Sequence, residues 1–169
     1  FQLLRGGTKY DVSKMNYIGR AASMQYVTMV WHTAGVKNLA DAQKAKTPII
    51  FGASGLSQSN YIVPTIMKSL LGLNVKVISG YPGTAAINKA LEQGEVTGRA
   101  GAWSSWISRA GRLIDEKKIF AIAQSGLEKA GNIMDGYGKP TPLLLDMAKN
   151  ADEKAILQLL ASDAAVGRN

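Results

Sequence analysis

The sequence predicts an α/β fold with a mostly parallel sheet covered by helices on both faces. Three observations carry that prediction. Short apolar, β-branched runs alternate with stretches of helical periodicity, repeatedly in the order strand then helix. Eighteen glycines, more than a helical bundle uses, tend to sit at the ends of those runs, where strand-to-helix and helix-to-strand turns need them. A chain of 169 residues with 46% hydrophobic content can close one core of ordinary size.

The elements follow in order. Residues 5–19, with Gly6-Gly7-Thr8, read as an irregular lead-in whose Tyr17 and Ile18 could pack on a core. Gln25–Trp31 is dense in β-branched and aromatic residues and reads as a buried strand that ends at His32-Thr33-Ala34-Gly35. A short helix is expected at Leu39–Lys44, and Pro48 introduces the strand Ile49–Phe51. Ile62, Ile66, Leu70 and Leu71 then recur at helical spacing. Pro64 places the start of that helix near Ser59 or Asn60, because proline is tolerated in a first turn and costs about 3 kcal/mol further in. Gly72 closes it.

Val75–Ile78 alternates as a strand, and Tyr81-Pro82-Gly83-Thr84 turns into a helix with Ile87, Ala90 and Leu91 inward, stopped at Gly94. Val96–Ala100 reads as a brief strand, Trp103–Arg112 as a loop or short helix, and Ile119–Ala123 as another strand. Two late helices are signalled, one near Pro142–Lys149 and one over Ala151–Ala161 with Ile156, Leu157 and Leu160 on one face. The segments 49–51, 75–78 and 96–100 are expected to be neighbouring, mostly parallel strands with their carboxyl ends on one side.

Composition narrows the chemistry. The absence of cysteine removes disulfides, thiolate metal sites and cysteine nucleophiles, and a lone histidine, His32, cannot build a histidine metal cluster. No cofactor is indicated. A formal charge of +8 attracts anions in general. Lysines such as Lys37, Lys76, Lys117 and Lys149 are scattered rather than gathered in a stripe, which argues against nucleic acid as the partner. No apolar run approaches the roughly 20 residues of a membrane span.

Three loops carry candidate chemistry. Ser54-Gly55-Leu56-Ser57-Gln58-Ser59 joins a strand to a helix N-terminus, where unpaired backbone N–H groups and the macrodipole favour a carboxylate or phosphate. Gly55 lets the backbone come close, and the serines add hydroxyl donors; the same residues also suit a plain N-cap on a flexible turn. A nucleophile elbow would need glycine two residues to each side of Ser54, but Leu56 stands ahead, and only His32 could serve as base. The P-loop ending is missing as well. Tyr81-Pro82-Gly83-Thr84 is a second turn at a strand's carboxyl end, where open α/β sheets bind ligands. Gly101-Ala102-Trp103-Ser104-Ser105-Trp106 is the third, either an apolar wall with polar anchors or simply core.

The order of these stretches resembles the tripartite tricarboxylate transporter receptor family, the TctC/Bug-like solute-binding proteins. The matching segments are Trp31–Asp41, Phe51–Ser57 and Gly80–Ile87 continuing to Gly94-Glu95-Val96-Thr97-Gly98-Arg99, and the likeness spans about residues 17–168. The resemblance implies a type II periplasmic-binding-protein architecture, with three-layer α/β/α lobes on either side of a ligand cleft. It implies that 34–163 is the second lobe, 24–33 a crossover, 164–169 the start of the return, and 1–23 a remnant of lobe one. It further implies a non-catalytic periplasmic receptor that passes a small carboxylate, whether di- or tricarboxylate or aromatic, to membrane transporter subunits.

Carried over by position, Ser54, Gly55, Leu56, Ser57 and Gln58 would hold one carboxylate through backbone amides and water. Tyr81, Gly83 and Thr84 would border the ligand, and Trp103 and Ser104 would close a side. Two departures stand out: Thr97 replaces the family's usual Asp, and Leu56-Ser57-Gln58 is bulkier than the common glycine-rich loop. Without most of lobe one, Gln25–Trp31 is expected to keep an exposed edge or face that a second copy would cover, giving a dimer through residues 24–31. The competing readings are a small α/β hydrolase-like enzyme acting through Ser54 or Tyr81 and a basic nucleic-acid-binding module whose affinity would fall steeply with salt.

Overall fold

The computed structural model describes residues 24–166 together with Asp11, Lys14 and Asn16. The lead-in over 5–19, with Tyr17 and Ile18, lies almost wholly outside the described residues. Five strands, β1 (Tyr26–Trp31), β2 (Ile49–Ala53), β3 (Val75–Ser79), β4 (Gly98–Ala102) and β5 (Ile119–Ser125), make one sheet in the order β3-β2-β4-β1-β5. β2 pairs in parallel with β3 and β4, while β1 runs antiparallel to both of its neighbours. Four strands therefore point one way and β1 the other, and the mostly parallel sheet expected from the sequence is present.

The helices α1 (Leu39–Lys44), α2 (Ser59–Leu71), α3 (Thr84–Glu92), α4 (Trp103–Asp115) and α5 (Ala151–Val166) cover both faces. One core gathers Leu39 and Ala42 of α1, Val63 and Met67 of α2 and Leu157 of α5 against Val30, Phe51 and Val75. The other gathers Ile87 and Leu91 of α3 and Trp106 and Leu113 of α4 against Val27, Met29 and Trp31. Neighbouring residues of one strand serve opposite layers, as the period of two requires, so Phe51 belongs to the first core and Ile50 packs on the second. The result is a three-layer α/β/α unit.

Connection handedness explains which helix goes where. From β2 the chain crosses by α2 to β3 at the edge, then returns past β2 to β4 by way of α3. Right-handed crossovers in opposite directions put α2 and α3 on opposite faces, so β2 is the strand at which the winding changes side.

Several boundaries fall where local signals put them. α2 starts at Ser59 behind the N-cap Gln58 and ends at Gly72, whose φ of 68° supplies the left-handed cap. Pro64 sits sixth in that helix, beyond the first turn, and is buried against the sheet, so packing offsets the lost backbone hydrogen bond. Trp103–Arg112 is helical rather than loop and continues to Asp115, broken only by a non-helical Ala110 that kinks it just before Gly111. The helix expected over Pro142–Lys149 shrinks to a 3-10 turn at Leu144–Met147. α5 runs on to Val166, past the 163/164 boundary at which the return crossover was expected.

The exposed edge expected on Gln25–Trp31 is not there. Both edges of β1 are taken by β4 and β5 of the same chain, and Val27, Thr28, Met29, Val30 and Trp31 are buried. The strand needs no second copy to cover it, which removes the reason for a dimer through residues 24–31.

Candidate functional site

The loops after β2, β3 and β4 all leave from the carboxyl end of the sheet, and the changing winding at β2 sends α2 away to one face while α3 and α4 go to the other. A crevice at this end is the ordinary consequence. Backbone bonds bring the first two loops together: the amides of Gly80 and Tyr81 both donate to the Ala53 carbonyl, at 3.1 and 3.2 Å. Ser54 and Thr84 thus lie at the ends of adjacent strands.

The Ser54 loop is held by a residue that sequence reasoning named only as a helix start. The Ser54 amide donates to Asn60 Oδ1 at 3.2 Å, and Asn60 Nδ2 donates to Ser54 Oγ at 3.1 Å. Asn60 is buried and fixes the serine from the first turn of α2. The Gln58 amide donates to the Gly55 carbonyl, closing a turn that leaves Leu56 65% exposed. No side chain caps α2. Gln58 supplies the N-cap backbone but no side-chain acceptor, so the helix N-terminus keeps the donor character that an anion would use.

Tyr81, just after β3, is anchored at both ring and hydroxyl. Its ring runs over Gly52, where a Cβ would come within 2.7 Å of Ile87 Cγ2 and 3.4 Å of Tyr81 Cε2, and its hydroxyl donates to Glu95 Oε1 at 2.6 Å. The phenol therefore braces the segment before β4. Partial burial, that hydrogen bond and the Glu95 charge, in this order of size, push its pKa up from 10.0 to about 12. Because the folded value lies above the unfolded one, the stability gained from this phenol is complete below pH 10 and is lost as the pH rises toward 12. Tyr137, hydrogen-bonded to Asp41, is shifted in the same direction. In a spectrophotometric phenol titration, Tyr81→Phe is expected to remove one late-ionising group, and the stability gap to the native chain should close at alkaline pH. An unchanged late fraction would show that Tyr81 ionises as an ordinary tyrosine.

Gly83 provides the N-cap of α3 and Thr84 its first residue. At the end of β4, the Trp103 amide donates to the Gln25 carbonyl at 2.7 Å, and Gln25 Nε2 donates to Gln124 Oε1, so β1, β4 and β5 are tied together at this end. Trp103 is half-buried and Ser104 exposed, whereas Trp106 is fully buried, its indole N–H donating to the Val27 carbonyl at 3.1 Å. Trp106 is therefore core, and Trp103 packs on the edge of the same core while keeping part of its ring exposed. Asn60 and Gln25 escaped sequence reading because nothing in their own segments marks a side chain whose partner, Ser54 or Gln124, lies in another element.

His32 follows β1, which runs opposite to the other strands, and its amide donates to the Lys118 carbonyl just before β5. It therefore sits at the far end of the sheet from Ser54, separated by a strand length of about 17 Å. A Ser54–His32 dyad is ruled out by this placement. Thr97 also lies at the far end, where its Oγ1 accepts from the Ile50 amide at 2.9 Å. The Thr97 hydroxyl thus serves a backbone contact between β2 and the start of β4, away from the crevice. No group of three His, Cys, Asp or Glu side chains suited to a metal ion occurs among the described residues. None of their helices is long and apolar enough to cross a membrane.

No family model matches the sequence, and no curated protein is similar enough to match. Solved structures do share the fold. An R. palustris protein with adipate superposes at TM-score 0.57 with 13% identity, covering 83% of this chain and 50% of that one. MatC from Rhodopseudomonas palustris with bound malate gives 0.53 with 16% identity over 84% of this chain and 52% of the other. The periplasmic binding protein BugD gives 0.58 with 15% identity, over 86% and 51%. The chain spans about half the length of the structures it matches.

Proposed function

We propose that this chain is a ligand-binding lobe of a periplasmic solute receptor of the TctC/Bug type, capturing a small carboxylated molecule without chemistry for transfer to membrane transporter subunits. The observation that carries the reading is the convergence of the Ser54–Gln58, Gly80–Thr84 and Trp103–Ser104 segments on one end of a sheet whose winding changes face at β2. The open N-terminus of α2 offers backbone donors to an anion there. Binding through the backbone also agrees with a Ser54 hydroxyl that bonds to Asn60 and with His32 lying at the far end of the sheet. The fold shared with proteins solved with adipate and malate supports the ligand class.

A thermal-shift series with adipate, malate, citrate and benzoate tests it, with uncharged adipamide as control. Ligand at 100 times Kd stabilises by about 2.7 kcal/mol, which for a chain of this size is a rise of roughly 5–10 °C. A flat response to every carboxylate would remove the proposal.

A further inference from the structure

Among the described residues, Arg99 is the only charged side chain in the buried interior, at 1% exposure. Its Nε and Nη2 are sealed from solvent with no hydrogen-bond partner. No carboxylate answers it: the ion pairs of the described residues join Lys14 to Asp11 and Arg112 to Glu92 and Glu116. The charge felt most from nearby is Arg109, which is of like sign and, after burial, the second cause that lowers the Arg99 pKa to about 10. The group is therefore still a cation at neutral pH. A sealed, unpaired guanidinium is destabilising, and its one visible compensation is the stack of its Cζ on the Trp106 ring, 3.7 Å from the centroid.

The direction of the side chain shows where that charge is delivered. A Cβ on Gly101 would collide with Arg99 Nη1, so the guanidinium runs two residues along β4 toward its carboxyl end, over a position that only glycine leaves open. Trp106, on which it stacks, belongs to the first turn of α4, three residues after Trp103. The buried cation thus lies beneath the end of the sheet where the three loops meet.

We propose that Arg99 is the specificity-determining charge of the candidate site, selecting a ligand carboxylate from beneath the Trp103–Ser104 segment. This rests on the carboxylate-receptor reading above. Packing alone does not account for the residue, since an unbranched apolar side chain would fill the same slot over Gly101 without a desolvated charge. A charge embedded in protein is also poorly screened, whereas the scattered surface lysines lose their influence as the screening length falls from about 10 Å at 0.1 M salt to about 3 Å at 1 M.

Arg99→Met and Arg99→Lys decide the matter, followed by thermal melting and by calorimetric titration with adipate and adipamide across that salt range. The native chain is expected to prefer adipate at both salt concentrations. Arg99→Met is expected to melt higher than the native chain and to bind adipate at least about ten-fold more weakly. Arg99→Lys should restore part of the preference. If Arg99→Met melts lower or fails to fold, the guanidinium is structural and the inference is overturned. If the native chain prefers adipate and Arg99→Met does so equally, the inference fails alone. If the native chain responds to no carboxylate, the receptor reading fails and takes the inference with it.

Discussion

Trp106→Ala is expected to lower stability by about 3–5 kcal/mol, a drop in melting temperature of roughly 10 °C or more. The indole is completely buried in the core between the sheet and the α3–α4 layer, so its removal opens a cavity that rigid neighbours cannot close. Two further losses add to the cavity. The Val27 carbonyl loses its indole donor, and the Arg99 guanidinium loses the ring on which it stacks, leaving a buried cation with still less compensation. Trp106→Phe, which keeps most of the volume and an aromatic face but not the N–H, should recover the larger part of the loss. The half-buried Trp103 makes a useful contrast, since Trp103→Ala should cost much less. Equal melting of the Trp106→Ala and native chains would show that α4 does not anchor the sheet through this residue.

How far the sequence could be read depends on whether the cause of a feature is local. β2, α2 and β3 were legible nearly to the residue because Pro48, Gly72 and the alternation of Val75–Ile78 act within a few positions of themselves. α4 was half-legible. Trp, Ser and Gly are weak helix formers, and the helix through Trp103–Asp115 is settled by burying Trp106, Ala110 and Leu113 rather than by propensity. The neighbours of β1 could not be read at all, since strand order is decided by pairings such as Met29 with Arg99 and Met29 with Ala121 across 70 to 92 positions. The site divides in the same way. Gly/Ser composition and the strand-to-helix order located the three loops, but the Asn60 clamp on Ser54, the turn of Tyr81 toward Glu95 and the buried Arg99 are tertiary facts. A hint of the last was present in the sequence: an arginine set among Gly98, Ala100 and Gly101 has only small neighbours beside it in a strand.

The segment after β5 shows the same principle with the largest consequence outside the α4 layer, and it makes Gln124→Leu a severe substitution. Residues 126–142 contain no strand or helix, only isolated bridges, yet the segment runs back to Lys37 and Phe120 at Gly136 and returns to lay Leu143 alongside β5. Gln124, fully buried, holds it from within the sheet. Its Nε2 donates to the carbonyls of Ala130 and Thr141, both at 3.0 Å, and its Oε1 accepts from the Ala130 amide at 2.9 Å and from Gln25 Nε2 at 2.8 Å. Leucine matches the size but answers none of these groups, and each buried polar group left unpaired costs about 1–3 kcal/mol. Allowing water to reach the Ala130 backbone, the total is expected at about 3 kcal/mol. The damage should be local before it is global, because Gly136 keeps its separate bond to the Lys37 carbonyl while the span near Ala130 is released. Trypsin should therefore cut the variant after Lys129, which is exposed, well below the melting temperature and much faster than it cuts the native chain. The same loosening should reach the candidate site, since Gln25 gives its carbonyl to the Trp103 amide and loses its own side-chain anchor in the variant. Native-like melting together with native-like resistance at Lys129 would show that the segment is held by other contacts and that the Gln25–Gln124 tie does not position Trp103.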